Sequence, residues 1–351
     1  MRAGIRRLLL SAGYRLGLIQ AAARAGDRWV VRGDRRPPSF ERRGEEGFLV
    51  LIYHRVDDGD SAFRIETTRV KLFDRQMRYL GRHFRVLALD DILHRLRSGV
   101  PLPGRCAAVT FDDGYEDNFL HAFPILKRHR IPATLFPAVG SIDTGKALWF
   151  DRVLRAFETT SRTRLETPWG AAPLELPTRA ERARAAEQML HSLMPCGNGE
   201  RLARVEAVVS LLAGGSAPAP PVPMLRWSQI RAMAEGGVSI GSHTVSHPVL
   251  TTVPPEEAAR ELRESKRTIE VEIGRPVSLF AYPVGKREHY SEAIKRLVAD
   301  AGYTAALTTR SGANGPSHDR YELRRIRSWE PTLPAFALTL TRHRLLADAG
   351  D

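Results

Sequence analysis

Hydrophobic positions along the chain predict alternating strands and helices. Phe48–Tyr53 is an unbroken apolar run, which is typical of a strand buried on both faces. Apolar residues then recur at helical spacing from Phe73 to Phe84, and a second strand at 86–89 and a second helix at 90–96 follow. The predicted order of elements therefore begins as strand, helix, strand, helix.

The same rhythm continues further along the chain. We predict further strands at 107–111, 133–136, 238–241, 279–282 and 305–308, and further helices at 118–129, 227–234, 256–273 and 291–301. Strands that alternate with helices form a parallel sheet, and polar residues at the strand C-termini are where such sheets place their chemistry. We therefore predict an α/β fold over residues 46–345, a distorted and incomplete (β/α) barrel of about seven parallel strands.

One segment interrupts this alternation. Residues 150 to about 210 are charged and helix-rich without strand alternation, and Gly214, Gly215 and an Ala/Pro-rich stretch through Pro223 follow. We predict a helical insertion at about 150–223 with a flexible return.

Basic residues are concentrated at the N-terminus. The 351-residue chain has a formal charge of +13, and residues 1–45 hold 11 arginines against four acidic residues. The chain lacks zinc-finger spacing, an RNA-binding aromatic signature and a Gly-rich phosphate loop, so we expect no nucleic-acid partner. Residues 1–45 instead suit peripheral contact with an anionic membrane.

Residues 1–45 also indicate where in the cell the protein is expected. Its apolar run is cut short by Ser11, Gly13 and Arg15, unlike a well-formed signal peptide. No stretch approaches the roughly 18 apolar residues that span a membrane. We expect a protein that is cytoplasmic or peripheral to the inner membrane.

An adjacent carboxylate pair, Asp112 and Asp113, ends the strand predicted at 107–111. Neighbouring side chains on a strand face opposite ways, so both serve one site only where the backbone turns, and Gly114 allows such a turn. One carboxylate can then bind a metal while the other faces its water. A plain surface turn is the alternative for this tripeptide.

A histidine pair, His243 and His247, follows the strand predicted at 238–241. Two imidazoles four residues apart can converge on one ion, and two histidines plus one carboxylate leave open positions for water and substrate. A chance pair is the alternative in a chain with 11 histidines. Since each motif follows a short apolar strand, a parallel barrel would bring both to the same rim.

These motifs resemble the polysaccharide deacetylases of the NodB-homology type, carbohydrate esterase family 4. The resemblance runs from about residue 49 to 326, apart from the insertion, and rests on residues 53–54, 110–115, 241–250 and 280–285. The last of these stretches matches only partly.

The resemblance implies a divalent-metal site. It assigns Asp113, His243 and His247 as ligands and Asp112 as the general base. Zinc suits these ligands, and nickel, cobalt or iron would fit as well.

The resemblance also implies an oxyanion donor just after the proline of Tyr282, Pro283 and Val284, namely the Val284 N–H. Many relatives have Tyr at the position of Val284 and, near Ala281, an Arg that braces the base. Both are missing here, which affects the expected rate and substrate preference but leaves the backbone donor intact.

The proton for the leaving amine needs a separate donor. Most relatives use a late histidine, but His318 lies in a predicted polar loop and His343 in a predicted tail helix. In the branch that acts on poly-N-acetylglucosamine the acid is similar to His54, which follows the first strand. We therefore expect His54 to be the general acid, with a structural rim histidine as the alternative.

Two aromatic residues and an arginine pair complete the candidates. Tyr115 and Trp329 are possible sugar-stacking residues, with ordinary packing as the alternative for each. Arg324 and Arg325 precede Ile326 in what resembles the closing strand of the family, and a structural and a sugar-contacting role stay open.

The leading hypothesis is metal-dependent hydrolysis of N-acetyl groups on an N-acetylhexosamine-containing polysaccharide, oligosaccharide or glycolipid. Two alternatives stay open. One is a non-catalytic glycan-binding relative, suggested by the altered 280–285 stretch, and the other is a deacetylase or deformylase of a lipid- or nucleotide-linked sugar.

Overall fold

A computed structural model describes residues 47–59, 63, 66–170, 172–214 and 222–345. The basic segment 1–45 and most of the predicted flexible return lie outside these residues. No described helix is both long and apolar enough to cross a lipid bilayer.

The strands are short, and most of them are buried. They are β1 (Phe48–Tyr53), β2 (Arg55–Val56), β3 (Thr67–Thr68), β4 (Arg85–Val86), β5 (Cys106–Asp113), β6 (Ala133–Pro137), β7 (Arg164–Leu165), β8 (Leu174–Glu175), β9 (Val238–Ile240), β10 (Leu279–Ala281), β11 (Ala305–Leu307) and β12 (Ile326–Arg327).

Helices follow most of these strands. They are α1 (Val70–His83), α2 (Leu89–Arg97), α3 (Phe123–His129), α4 (Trp149–Thr159), α5 (Arg179–Leu193), α6 (Asn198–Ala213), α7 (Trp227–Glu235), α8 (Pro255–Ile273), α9 (Glu292–Asp300) and α10 (Leu333–Leu345). Shorter helical turns lie at Asn118–Ala122, Val139–Ser141, Leu250–Thr252 and Arg287–His289.

The main sheet is parallel, as predicted. Its order is β12-β1-β5-β6-β9, with β4 also paired to β5, and β10 pairs with β11 in a separate parallel ladder. Single parallel bridges join Ser242 to Phe280 and Leu307 to Leu323. The parallel α/β fold is thus confirmed, while closure into a barrel stays a prediction.

Several predicted elements differ in extent. The strand predicted at 86–89 is only Arg85–Val86, because α2 already begins at Leu89. The helix predicted at 118–129 is divided into a π-helical turn, Asn118–Ala122, and α3. Pro124 lies where they join, and since its nitrogen cannot donate, the preceding turn is released from regular α-helical bonding.

The segment between β6 and β9 has its own packing. It contains α4, α5 and α6, together with the antiparallel pair β7 and β8, which the prediction of a helix-rich insertion did not include. Its apolar residues lie in a hydrophobic cluster separate from the one around the main sheet; buried members include Phe157, Leu176, Met189, Val205 and Leu212. Phe63, Tyr115 and Ala138 belong to the same cluster, so this cluster also joins the insertion to the rest of the fold.

Candidate active site

The backbone turns sharply at the carboxyl end of β5, so that the buried carboxylates of Asp112 and Asp113 face the same site. The Gly114 N–H donates to the Asp112 carbonyl at 2.9 Å, which places Asp113 at the centre of a three-residue turn with φ of 73°. Left-handed backbone is costly for a residue with a Cβ and tends to occur at functional sites. This turn lets consecutive side chains serve the same pocket.

Left-handed residues also occur at other edges of this site. Thr244 has φ of 67°, His247 has 56° and Val284 has 60°. Thr244 and Val284 are β-branched, for which this conformation is a genuine outlier. These strained backbone positions therefore lie where the motif residues meet.

Asp113, His243 and His247 converge as a possible metal site. Each offers one ligand atom, and these atoms all lie within 4.8 Å of one another. The Asp113 Oδ1 atom is 3.5 Å from the His243 Nε2 atom and 3.6 Å from the His247 Nε2 atom. Within the described residues the buried Asp113 Oδ1 atom has no hydrogen-bond partner. An orphaned carboxylate oxygen facing two imidazole nitrogens fits a divalent cation.

Burial controls the protonation of these three groups. It lowers the pKa of His243 to about 4 and holds the pKa of His247 well below its usual value, so both imidazoles are neutral at pH 7. Burial also raises the pKa of Asp113 to about 7, with Asp112 adding to the rise and His54 opposing it. Neutral imidazoles are the form that binds metals, and a nearby cation would favour the Asp113 carboxylate.

Hydrogen bonds hold the His243 ring and the backbone of His247. The His243 Nδ1 atom lies 2.7 Å from the Ala281 carbonyl, so Nδ1 carries the proton and Nε2 keeps its lone pair. The Trp149 indole donates to the His247 carbonyl at 3.1 Å. Trp149 begins α4, so the insertion contacts the 243–247 segment directly.

A buried acid fixes the loop between these histidines. Glu261 of α8 accepts the N–H groups of Val245 and Ser246 at 2.7 and 3.0 Å, and the Ser246 hydroxyl at 2.5 Å. Asn198, the first residue of α6, donates to the same hydroxyl at 2.9 Å. The histidine loop is thus held from the sheet domain and from the insertion together.

Arg325 braces Asp112, although the chain lacks the arginine that many relatives have near Ala281. Its two terminal nitrogens each lie 2.7 Å from an oxygen of Asp112, and both side chains are almost completely buried. Burial alone would raise the pKa of Asp112, but Arg325 outweighs it and holds the pKa at about 2. Arg325 directly precedes β12. It can reach Asp112, at the end of β5, because β12 pairs with β1 and β1 pairs with β5.

His54 lies at the same rim and faces an acid that the sequence did not suggest. Its Nδ1 atom is 2.9 Å from a carboxylate oxygen of Glu66, close enough for charge attraction although off the axis of a good hydrogen bond. Burial lowers the pKa of His54, but Glu66, Asp113 and Asp112 together raise it to about 9. The imidazole is therefore protonated at neutral pH.

Val284 lies at the centre of a second three-residue turn, closed by the Gly285 N–H to the Pro283 carbonyl at 2.6 Å. The hydrogen bonds of the described residues leave the Val284 N–H unused. Tyr282 and Pro283 are buried beneath it, and Tyr282 stacks on Tyr290 with ring centres 5.0 Å apart.

These groups line one pocket of about 210 Å³. Its polar residues are His54, Glu66, Asp112, Asp113, His243, His247, Lys286, Thr309 and Arg327, and its apolar or aromatic ones are Trp149, Phe150, Leu190, Met194, Tyr282, Val284 and Trp329. The insertion provides Trp149, Phe150, Leu190 and Met194, so the pocket has one apolar wall and one charged wall.

The two stacking candidates fall in different places. Trp329 is half-buried, lines the pocket and meets the His54 ring edge-on at 5.7 Å. Tyr115 is fully buried, and its hydroxyl donates to the Asp151 carboxylate at 2.9 Å while Arg55 lies over its ring. Since Tyr115 has no exposed face for a sugar, ordinary packing describes it.

The late histidines lie outside the pocket. The His318 Nδ1 atom accepts the Gly315 N–H, and the His343 Nε2 atom contacts the Ser311 hydroxyl. Glu66 and Glu261 had no signal in the sequence, whereas Arg325 had one, because it is a charged residue directly before a closing apolar strand.

Comparison with known proteins points to one family. The family model described as polysaccharide deacetylase matches residues 99–306. YxkH of Bacillus subtilis, named as a candidate polysaccharide deacetylase, is 23% identical over 279 residues, which are 79% of this chain and 70% of YxkH. The poly-β-1,6-N-acetyl-D-glucosamine N-deacetylase of Escherichia coli K12 is 30% identical over 99 residues, 28% of this chain but only 15% of that enzyme.

Solved structures show the same fold. The Streptococcus pyogenes deacetylase PplD, in complex with acetate, has a TM-score of 0.57 at 19% identity, covering 84% of this chain and 98% of its own. IcaB from Ammonifex degensii has a TM-score of 0.55 at 21% identity, covering 84% and 97%. Because the family model matches more than half of the chain, the protein belongs to the polysaccharide deacetylase family of hydrolases.

Proposed function

We propose that this protein hydrolyses N-acetyl groups on an N-acetylhexosamine-containing polysaccharide, oligosaccharide or glycolipid, with a divalent metal held by Asp113, His243 and His247. Zinc is the expected metal, and nickel, cobalt or iron would suit the same ligands. The observation that supports this most is the convergence of these three ligand atoms within 4.8 Å, next to Asp112.

When bound there, a divalent cation polarises the amide carbonyl and lowers the pKa of a water molecule. Asp112, oriented by Arg325, accepts the proton of the attacking water. The Val284 N–H donates to the oxygen that gains negative charge as the new C–O bond forms.

His54 completes the reaction as the general acid. With its pKa raised to about 9, it carries a proton at neutral pH and can give it to the nitrogen as the C–N bond breaks. The products are acetate and a free amine. The presence of Arg325 beside Asp112 favours catalysis over mere glycan binding, since a binding protein has no use for an oriented base.

Asp112→Asn tests the proposal. Acetate release from N-acetylglucosamine oligomers should fall about 10²- to 10⁴-fold, because the base is lost, while bound metal stays near stoichiometric. Asp91→Asn, at an exposed position of α2, is the matched control and should retain full activity.

A second measurement guards against misfolding of the Asp112 variant. The wild-type protein treated with a chelator should lose acetate release and regain it with zinc. Glycan binding without acetate release under any metal or pH would favour the non-catalytic alternative instead.

A further inference from the structure

Two cations line the catalytic pocket without a role in the chemistry proposed above. Lys286 follows the Val284 turn by two residues, and Arg327 ends β12. Both are exposed, and the centre of the Arg327 guanidinium lies 5.8 Å from the ring centre of Trp329. A guanidinium over an aromatic face is partly ordered before any ligand arrives.

The other charges of the pocket have counterparts. Asp112 is paired with Arg325, and Glu66 lies against His54. Asp113 faces the two histidines, where the proposed metal would bring two further positive charges.

Lys286 and Arg327 differ from these groups. Among the described residues neither forms an ion pair with a carboxylate, so the pocket lining has two exposed positive charges without a counterion. A neutral sugar does not need such charges, because hydroxyl groups and aromatic faces are sufficient to recognise it.

We propose that the pocket accepts an N-acetylhexosamine that carries an oxyanion, a phosphate or a carboxylate, and that Lys286 and Arg327 bind it. This inference rests on the proposed deacetylase function and deepens it by naming the charge of the substrate. Arg suits such a ligand because its planar fork matches two oxygens of a phosphate or carboxylate, and Lys adds a mobile point charge. The apolar wall of Trp149, Phe150, Leu190 and Met194 lies in the same pocket and can take the uncharged part of the sugar.

Three probes separate the possibilities. They are methyl N-acetylglucosaminide, which is neutral, N-acetylglucosamine 1-phosphate, and N-acetylmuramic acid, which carries a carboxylate. The zinc-loaded full chain should deacetylate at least one anionic probe with a higher kcat/KM than the neutral one. Which anionic probe is preferred distinguishes phosphate from carboxylate.

Substitutions then assign the preference to residues. Lys286→Gln and Arg327→Gln should each lower the ratio of kcat/KM for the preferred anionic probe to that for the neutral probe about tenfold, because each removes a charged hydrogen-bond donor to the anion. Arg287→Gln removes a neighbouring exposed charge outside the pocket and should leave the ratio unchanged. Added salt should reduce the preference, because both cations are exposed.

Equal kcat/KM for neutral and anionic probes, or an unchanged ratio in the Lys286→Gln/Arg327→Gln double variant, would overturn the inference. If no probe is deacetylated, calorimetry of probe binding still decides it. Anionic probes that bind more tightly to the wild type than to the double variant would support the anion site while the proposed activity fails. Equal binding to the wild type and the double variant would reject both the anion site and the proposed activity.

Discussion

The sheet domain and the helical insertion meet at one pocket, and they contribute to it differently. The groups proposed for chemistry follow the ends of parallel strands, whereas the insertion contributes apolar surface and contacts to the histidine loop. Parallel strands end at a common edge, so residues far apart in sequence converge there. The insertion packs in a second hydrophobic cluster, which also includes Tyr115 and Ala138 near the ends of β5 and β6, so it is joined to that edge by packing as well as by hydrogen bonds.

This comparison suggests that the sheet edge governs the reaction and the insertion governs binding. Changes at the sheet edge should alter the rate of the chemical step. Changes in the insertion should alter the affinity for the proposed metal. The following three variants test this division, from the largest expected effect to the smallest.

Arg325→Met should give the largest effect. It leaves a buried carboxylate unpaired, which costs about 3–5 kcal/mol of stability, and it frees the base to move, which can cost about 10²-fold in rate. The pKa of Asp112 should rise from about 2, because the arginine charge is what lowers it, so the acid limb of the pH–rate profile moves to higher pH. Melting curves and acetate release measure both effects.

Two further variants control for this result. Arg324→Met changes the adjacent, half-buried arginine, which has no contact with Asp112, and should stay near wild type. Arg325→Lys keeps the charge but loses the two-pronged contact and should fall between the two. An Arg325→Met protein with normal turnover would mean that Asp112 needs no brace.

Glu66→Gln should shift the pH profile without removing any proposed catalytic group. The pKa of His54 should fall from about 9 towards 6.5, so the alkaline limb of kcat/KM moves to lower pH and the rate near pH 7.5 drops by about tenfold. Because the folded-state pKa is raised, this contact stabilises the fold below pH 6.5, and the stabilisation is lost as the pH rises through about 9.

Glu288→Gln is the matched control, since Glu288 also lies near a histidine, His289 at 3.9 Å, but outside the pocket. Its pH–rate profile should match that of the wild type. An unshifted alkaline limb in Glu66→Gln would remove His54 from the role of acid.

Asn198→Ala tests the insertion and should give the smallest effect. Its side chain holds Ser246, next to the proposed ligand His247, so metal affinity should weaken about fivefold, below the ~10-fold typical of a direct partner of a ligand. Metal titration by calorimetry measures this.

Thr178→Ala provides the comparison within the insertion. It removes the capping box of α5, at a cost of about 1 kcal/mol, without touching the histidine loop. Equal metal affinity in the two variants would show that Asn198 does not support the proposed metal site.

Local patterns predicted much of the sheet. The bounds of β1 agree with its apolar run, and β6 and α8 were placed to within a residue or two. Predictions failed where a local pattern was too short or was interrupted, as in β4, in the π-helical turn before Pro124 and in the small hairpin of β7 and β8. Two-residue strands contain too few positions for a periodicity to appear.

The sequence by itself determined the family-like motifs: two adjacent carboxylates at the end of a strand and two histidines four residues apart. Side-chain chemistry and spacing along the chain are local properties, so they are readable without a structure. Only the tertiary structure decided that Arg325 lies against Asp112, 213 residues away, and that Glu66 faces His54. Such contacts depend on which strands become neighbours and how a loop folds back over their ends, and no spacing along the chain encodes either.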